Sequence, residues 1–254
     1  MLTEQVIAEN VARIEERIQA ACMRSGRARN EIRLMAVSKT HPAEAIAAGY
    51  AAGLREFGEN RVQEFQQKLP VLKDLGFDVA GLDGGSSMAK EKTVVVHLIG
   101  HLQSNKSARA AEIFSGVDTV DSLRLATRLN DAAEKLDRRL PVLVEIKLSD
   151  EPAKSGVDPD SPDLAELLER LPDLRHVEMR GLMTVAPFDE NPETARACFR
   201  RLRSLRDELA ARHGQLHFAE LSMGMSGDFE LAIEEGSTLV RVGTAIFGAR
   251  PRPA

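Results

Sequence analysis

The first 25 residues show the hydrophobic pattern of an amphipathic helix. Their apolar side chains recur three or four positions apart, as on one helical face. These residues are Ile7, Val11, Ile14, Ile18 and Cys22. Gly26 follows this stretch, and glycine commonly ends helices because it adopts the left-handed conformation without strain. The pattern predicts a leading helix over residues 3–25.

After this helix, short β-rich runs alternate with amphipathic helical segments. The β-rich runs cover residues 32–38, 54–57, 94–99, 117–120, 142–148, 177–183, 218–221 and 239–242. The helical period is clearest over residues 122–138 and 192–213. Strands that alternate with helices pair in parallel, because each helix returns the chain to the same end of the sheet. Eight such units predict a closed (β/α)8 TIM barrel of the α/β class.

An open, doubly wound sheet is the competing architecture. It normally carries a glycine-rich phosphate turn after its first strand, whereas here that turn reads Ser38-Lys39-Thr40-His41-Pro42. A length of 254 residues with 43% hydrophobic content suits one barrel about as well as two small domains, so the eight alternations decide. We predict a single barrel domain over residues 1–254, with an extra N-terminal helix and a flexible surface insertion at 81–92.

Net charge, the N-terminal segment and the length of the apolar runs limit the classes of partner and location that the sequence favours. Lys and Arg number 34 against 39 Asp and Glu, so the net charge of −5 favours no nucleic acid or anionic membrane partner. The start of the chain lacks the basic and apolar segments of a signal peptide, and no apolar run reaches the roughly 20 residues of a membrane span. We expect a cytoplasmic protein in which Cys22 and Cys198 are buried, reduced thiols.

The residue types that carry chemistry follow the strands, at the barrel end where active sites form. Lys39 ends the apolar run Leu34-Met35-Ala36-Val37. Most lysines are solvated surface residues, but an amine partly desolvated at a barrel mouth has a lowered pKa and attacks aldehydes. Lys39 is therefore the candidate nucleophile.

A candidate phosphate site follows the seventh and eighth strands, where barrels often bind phosphate. Gly243 allows an anion to approach the main chain, and Thr244 with a serine supplies hydroxyls. The helix after Ser226 is expected to point its positive end inward, although Ser226 is as readily interpreted as a simple helix cap. A nucleophilic lysine and a phosphate site in one mouth indicate a phosphorylated aldehyde. A Schiff-base aldolase and a pyridoxal phosphate protein both satisfy that description.

Two histidines and one loop are further candidate sites. His97 and His101 have the spacing of zinc ligands on a helix, but Gly100 and the preceding β-run argue against a helix, and no third ligand is apparent in the sequence. We predict no metal site. Residues 150–156 have Pro and Gly at turn positions and predict a solvated loop.

Six ordered motifs resemble the successive signatures of the pyridoxal 5′-phosphate homeostasis protein family. They are Ala36-Val37-Ser38-Lys39-Thr40, Phe57-Gly58-Glu59-Asn60-Arg61-Val62-Gln63-Glu64, His97-Leu98-Ile99-Gly100 with Leu102-Gln103-Ser104-Asn105-Lys106, Arg180-Gly181-Leu182-Met183, Leu221-Ser222-Met223-Gly224-Met225-Ser226, and Arg241-Val242-Gly243-Thr244-Ala245-Ile246-Phe247-Gly248-Ala249-Arg250. Departures are local: Val96 precedes His97 where the family usually has an aromatic residue, and His41 stands where many members carry lysine.

The resemblance implies a barrel like the N-terminal domain of alanine racemase, with pyridoxal 5′-phosphate held as a covalent aldimine on Lys39. Asn60 would lie near the ring, and Arg241 would face the pyridine nitrogen. Gly243 and Thr244 would bind the phosphate. The two serines Ser222 and Ser226 would complete the phosphate shell.

The same resemblance implies a non-catalytic carrier that regulates the free level of the cofactor and passes it to apo forms of pyridoxal phosphate enzymes. We expect the protein to be a monomer. The alternative is a pyridoxal phosphate-dependent amino-acid racemase, lyase or aldolase that uses Lys39. Racemases of the related fold use a tyrosine from a second domain as partner base. The single tyrosine here, Tyr50, is predicted to lie outside the barrel, so we expect no turnover.

Overall fold

Eight parallel strands form a closed barrel in the computed structural model, which describes residues 3–82, 92–149, 151 and 155–249. The described residues form nine strands, eight of them in the barrel: β1 Arg33–Val37, β2 Glu56–Glu59, β3 Asp78–Val79, β4 Thr93–Leu98, β5 Gly116–Val120, β6 Leu140–Glu145, β7 Val177–Met183, β8 Glu220–Ser222 and β9 Leu239–Val242. The barrel closes because β1 pairs with both β2 and β9, and β2 pairs with β4. The two-residue strand β3 adds to β4 outside this ring.

Helices follow the strands and cover the outside of the barrel. They are α1 Glu4–Ser25, α2 Ala43–Ala51, α3 Val62–Asp74, α4 Ser107–Ile113, α5 Leu123–Lys135, α6 Pro162–Arg170, α7 Pro192–Arg212, α8 Phe229–Glu234 and α9 Thr244–Phe247. The main hydrophobic core lies between this layer and the strands, where the rings of Phe57, Phe65 and Phe199 are completely buried. The predicted (β/α)8 barrel is confirmed.

The leading helix begins and ends as the sequence predicts. The Thr3 hydroxyl accepts a hydrogen bond from the Val6 N–H at 3.3 Å, and Gly26 ends the helix in the left-handed conformation with φ of 68°. Ile14 and Ile18 are buried, and α1 packs against α2, α8 and α9. The helix therefore covers the side of the barrel where the first and last strands meet.

The predicted strand bounds are correct for β7 and β9 and shifted for others. Strand β6 ends at Glu145 rather than at residue 148, and β2 begins at Glu56 rather than at residue 54. Strand β3 was not predicted, because two residues show no hydrophobic alternation. Of the predicted insertion at 81–92, residues 83–91 lie outside the described residues.

The inside of the barrel is packed rather than open. A Cβ placed on Gly58 of β2 would lie 2.8 Å from the Ile99 side chain and 2.9 Å from the Met35 sulfur. Only a residue without a side chain therefore fits at this position in the interior. The open space lies instead at the two ends of the barrel, here called the mouth, at the C-terminal ends of the strands, and the base, at their N-terminal ends.

Tyr50 and the two cysteines lie where the sequence predicts them. Tyr50 lies in α2, where its ring meets Phe77 edge-on at 5.1 Å and the Arg55 guanidinium lies 3.7 Å from its centroid. Cys22 and Cys198 are buried and unbridged. None of the helices in the described part of the chain is long and apolar enough to cross a membrane.

Candidate functional site

Lys39 lies at the mouth, half-buried, in the turn that follows β1. Its neighbours on both sides are fixed to other elements. The Ser38 hydroxyl donates to a Glu59 carboxylate oxygen at 2.6 Å, and the Thr40 N–H donates to the Glu64 carboxylate in α3. Thr40 has a φ of 66°, which is unusual for a β-branched residue. The turn is therefore held in one conformation around Lys39.

A buried ion cluster anchors this turn from below. The Lys68 ammonium of α3 lies 2.6 Å from Glu59 Oε1, 3.0 Å from Glu64 Oε1 and 3.0 Å from the Ser38 carbonyl oxygen. Its side chain is 7% exposed and that of Glu59 is fully buried. Burial raises the pKa of Glu59, although Lys68 and the Ser38 hydroxyl oppose the shift. Sequence reasoning missed this cluster. Lys68 stands among the buried residues Phe65 and Leu72 of α3, and a lysine on an apolar face is the signal that could have revealed it.

Arg241 of β9 is 3% exposed and reaches across two neighbouring strands. It donates through Nη1 to the Ser222 hydroxyl at 2.6 Å and through Nη2 to the Thr184 carbonyl oxygen at 2.8 Å. Burial lowers the pKa of the guanidinium, and the negative charges of Asp118, Asp228 and Glu145 act in the opposite direction. Both hydrogen-bond acceptors are neutral, so Arg241 brings positive charge into the barrel without a directly bonded carboxylate.

Glu145 is a second residue that sequence reasoning missed. It ends β6 as a charged residue in an apolar run, and it is 5% exposed. Its Oε2 atom has no hydrogen-bond partner among the described residues. Burial, and then the charge of Asp121, raise its pKa to about 7, against the effect of Arg241. With Ser149 it lines a cavity of about 160 Å³.

The phosphate candidates after β9 lie beside the strand that leads to Lys39. The Gly243 N–H donates to the Ser226 hydroxyl at 3.2 Å. A Cβ on Gly243 would lie 3.1 Å from the Val37 carbonyl oxygen, and Val37 precedes Lys39 by two residues. Thr244 is exposed and begins α9. Ser226, Gly243 and Thr244 are thus brought together on the Lys39 side of the mouth.

The region after Ser226 differs from the expectation. Helix α8 begins at Phe229, and Asp228 rather than Ser226 occupies its N-cap position. The Asp228 carboxylate accepts a hydrogen bond from the Met225 N–H. An acidic residue already lies at the start of this six-residue helix, so its dipole contributes little to binding an anion. Ser226 is not the cap of this helix.

Ser222 and Asn60 differ in burial and in hydrogen bonding. Ser222 is completely buried, and its hydroxyl is bonded to Arg241. Asn60 follows β2 and is half-buried; no hydrogen bond among the described residues uses its carboxamide. Gly100 packs closely against the Asn60 backbone at the mouth. A Cβ placed on Gly100 would lie 2.3 Å from the Asn60 carbonyl oxygen.

The two histidines have separate partners. His97 Nδ1 lies 2.8 Å from Asp118 Oδ1 inside the barrel, whereas His101 is exposed and lies 3.5 Å from Asp121. Of the loop at 150–156, residues 150 and 152–154 lie outside the described residues. The two rings do not form a common site.

Comparison with known proteins identifies the class of this barrel. The model of the family described as alanine racemase, N-terminal domain, matches residues 7–251. The pyridoxal phosphate homeostasis protein of Aquifex aeolicus is 43% identical over 95% of this chain and 97% of its own length. That of Escherichia coli K12 is 44% identical over 96% of this chain and 97% of its own length. The chain belongs to the pyridoxal phosphate homeostasis protein family, as its motifs predicted.

A solved structure supports the same assignment. PipY of Synechococcus elongatus PCC7942, in a structure with pyridoxal phosphate bound, is 40% identical and covers 95% of this chain, with a TM-score of 0.77. The same protein without pyridoxal phosphate gives a TM-score of 0.78. The predicted fold and family are therefore confirmed.

Proposed function

We propose that this protein binds pyridoxal 5′-phosphate at the barrel mouth through a Schiff base on Lys39. The observation that carries the proposal is the close approach of Gly243 to Val37. Because of it, the hydroxyl and N–H groups suited to a phosphate lie beside the strand that presents the amine suited to an aldehyde. A relative of 40% identity whose structure contains pyridoxal phosphate supports it.

The residues at the mouth fit the chemical groups of this cofactor. Lys39 supplies the amine, held by Ser38 and Thr40, while Thr244 and Ser226 supply hydroxyls for the phosphate. Arg241 is oriented by its two acceptors, so its charge is available to the ring nitrogen. Ser222 then acts in the phosphate shell or through Arg241, and Asn60 offers a carboxamide to the ring.

We further propose a carrier role without turnover. When bound, pyridoxal phosphate supplies an electron sink, which enzymes strengthen by placing a carboxylate against the ring nitrogen. A guanidinium there favours the unprotonated nitrogen and a weaker sink. Tyr50 packs against Phe77 in the helical layer, outside the barrel, where it does not serve as the partner base. The protein then regulates the free cofactor level and delivers it to apo-enzymes, as a monomeric single-domain protein of the cytoplasm.

One observation favours a second candidate function, an amino-acid racemase or lyase. Glu145 is a buried carboxyl group with a pKa of about 7, and such groups serve as general acids and bases. Its position near Arg241 would let it move a proton at the mouth. The carrier proposal requires that this group not produce turnover.

The Lys39 assignment is tested by spectroscopy and trapping. The purified protein incubated with pyridoxal phosphate should show a visible absorption band, and borohydride reduction should leave the label on the Lys39 peptide. Lys39→Ala should lose the band, whereas Lys73→Ala, an exposed lysine of α3, should keep it. Recovery of the label on another lysine, with unchanged affinity in Lys39→Ala, contradicts the assignment.

The absence of turnover is tested by proton exchange. The loaded protein is incubated with each common amino acid in deuterated water while the α-proton signal is followed by NMR. We expect no exchange at an ordinary enzymatic rate, on the order of one per second. Exchange at that rate, abolished by Glu145→Gln and by Lys39→Ala, would establish the racemase or lyase instead.

A further inference from the structure

The base of the barrel contains a second cavity, at the opposite end from Lys39. Its volume is about 210 Å³. Its charged lining residues are Arg33, Glu56, His97, Asp118, Arg180 and Glu220. We call it the base cavity. None of these residues belongs to the proposed cofactor site, so its function is a separate question.

Ion pairs form the rim of the base cavity. Arg33, the first residue of β1, bonds Glu56 through Nε at 2.9 Å and Glu220 through Nη1 at 2.9 Å. Arg180 of β7 bonds Glu178 through Nε at 3.0 Å and Nη2 at 3.1 Å. Among the described residues, Nη1 of Arg180 has no partner. The rim therefore retains one cationic donor for a ligand.

A histidine and an aspartate form the inner end of the cavity. His97 Nδ1 lies 2.8 Å from Asp118 Oδ1, and Asp118 is 1% exposed. Burial alone would lower the pKa of His97, but the charge and hydrogen bond of Asp118 outweigh it and raise the pKa. Gly116 leaves room for the ring, since a Cβ there would lie 2.9 Å from Nε2. When the ring is protonated, Nε2–H is a second donor in the cavity.

The second oxygen of Asp118 is the feature that points to a ligand. Oδ2 is buried and has no hydrogen-bond partner among the described residues. Buried acceptors are almost always paired, and an unpaired one costs free energy. No group of three or more His, Cys, Asp or Glu residues in the described ranges could hold a metal ion. An N–H or O–H group of an organic ligand therefore matches Asp118 Oδ2 better than a metal ion does.

We propose that the base cavity binds a small zwitterionic α-amino acid. Its ammonium group donates to Asp118 Oδ2, and its carboxylate accepts from His97 Nε2 and Arg180 Nη1. The cavity offers both an unpaired carboxylate oxygen and cationic donors, so a ligand that carries both charges finds a partner for each of them. The volume equals about seven waters at roughly 30 Å³ each, which accommodates a small amino acid such as alanine.

The test follows the NMR signal of the His97 ring, so that it reports binding in the base cavity rather than binding at the mouth. Protein labelled with ¹³C-histidine is titrated with L-alanine, and the His97 ring signal is identified by its loss in His97→Gln. We expect a saturable shift of that signal. Acetate and methylamine, which each carry one of the two charges, should not reproduce it at equal concentration. The shift should persist in Lys39→Ala, which separates this proposal from that of the cofactor site.

Two cavity variants and a matched control complete the experiment. Asp118→Asn and Arg180→Gln should each weaken alanine binding about tenfold or more, since each removes a charged hydrogen-bonding group. Arg170→Gln removes an exposed arginine of α6 paired with Asp173 and should leave binding unchanged. The proposal is overturned by a His97 signal that does not move, or by a shift that acetate reproduces. It is equally overturned if Lys39→Ala abolishes the shift, or if Arg180→Gln binds alanine as tightly as the parent protein.

Discussion

The substitution Lys68→Met should destabilise the protein strongly at neutral pH and only weakly in acid. Methionine fills the space of the lysine stem but removes its ammonium group, which bonds Glu59, Glu64 and the Ser38 carbonyl oxygen. Glu59 is fully buried, and its Oε2 already has no partner among the described residues. The variant therefore leaves a carboxyl group buried without its counter-ion.

The magnitude follows from the two ways in which Glu59 can respond. Breaking a buried ion pair by removing one partner costs about 3–5 kcal/mol. If Glu59 instead takes up a proton, the cost at pH 7 is at most about 3.4 kcal/mol, from an ordinary pKa of 4.5 and about 1.36 kcal/mol per unit. At pH 5 the same protonation costs only about 0.7 kcal/mol. We expect a loss of about 3 kcal/mol at pH 7 that falls to about 1 kcal/mol at pH 5.

The sign of this pH dependence is fixed by linkage. In the variant the folded-state pKa of Glu59 lies above its unfolded value, because burial raises it and Lys68 no longer opposes the shift. The folded state then binds the proton more tightly, so the penalty is small below the unfolded pKa and grows as pH rises toward the folded pKa.

Urea unfolding at pH 5 and pH 7 measures the effect. Lys73→Met, on the exposed side of the same helix, is the control and should change stability by less than about 0.5 kcal/mol. Adding Glu59→Gln to Lys68→Met removes the stranded charge and should recover most of the loss at pH 7. A loss below about 1 kcal/mol at pH 7, or one equal at the two pH values, refutes the reasoning. Because Lys68 also holds Ser38, affinity for pyridoxal phosphate should fall with stability.

Two further predictions concern the mouth. Thr244→Val should weaken binding of pyridoxal phosphate by about tenfold, the loss of a hydrogen bond to a charged group, and should leave unphosphorylated pyridoxal unaffected; equal losses in a titration of both ligands would place Thr244 outside the phosphate site. Glu145 has a folded pKa of about 7 against an ordinary value of 4.5, so its ionisation should reduce stability as pH rises from about 4.5 to 7, by roughly 2–3 kcal/mol. Glu145→Gln should remove that decline in urea unfolding at pH 5 and pH 8, and an unchanged decline would contradict it.

The fold was predictable from sequence because its signals are local. Parallel strands buried on both faces read as continuous apolar runs, and helices such as 192–213 carry a clear period. The shifted end of β6 has a physical reason. Residues 146–148 read Ile-Lys-Leu and are predicted as part of the strand, but β6 ends at Glu145, and from Ile146 the pairing continues only as an isolated bridge to Val157.

The candidate site was predictable only in part, because much of it depends on contacts between distant residues. Lys39 and Gly243 follow strands, and strand order alone places them at one mouth. Lys68 bonds Ser38, which lies 30 positions earlier, and a lysine in a helix is normally solvated. The pKa of Glu145 depends on Asp121 and Arg241 from two other parts of the barrel. Such effects arise only when the barrel has closed.

If pyridoxal phosphate binds at the mouth as proposed, the charges around Arg241 favour binding over turnover for one physical reason. Its acceptors are a hydroxyl and a carbonyl group, Asp118 is engaged by His97, and Glu145 is only partly ionised near pH 7. No carboxylate among the described residues bonds the guanidinium directly, and the charges of Asp118, Asp228 and Glu145 offset it only from a distance, within a buried site where electrostatic interactions are strong. A retained positive charge attracts an anionic ligand to the mouth. The same charge disfavours protonation of a ring nitrogen beside it. If pyridoxal phosphate binds as proposed, the arrangement that strengthens its binding also weakens it as an electron sink, which is the combination that a carrier requires.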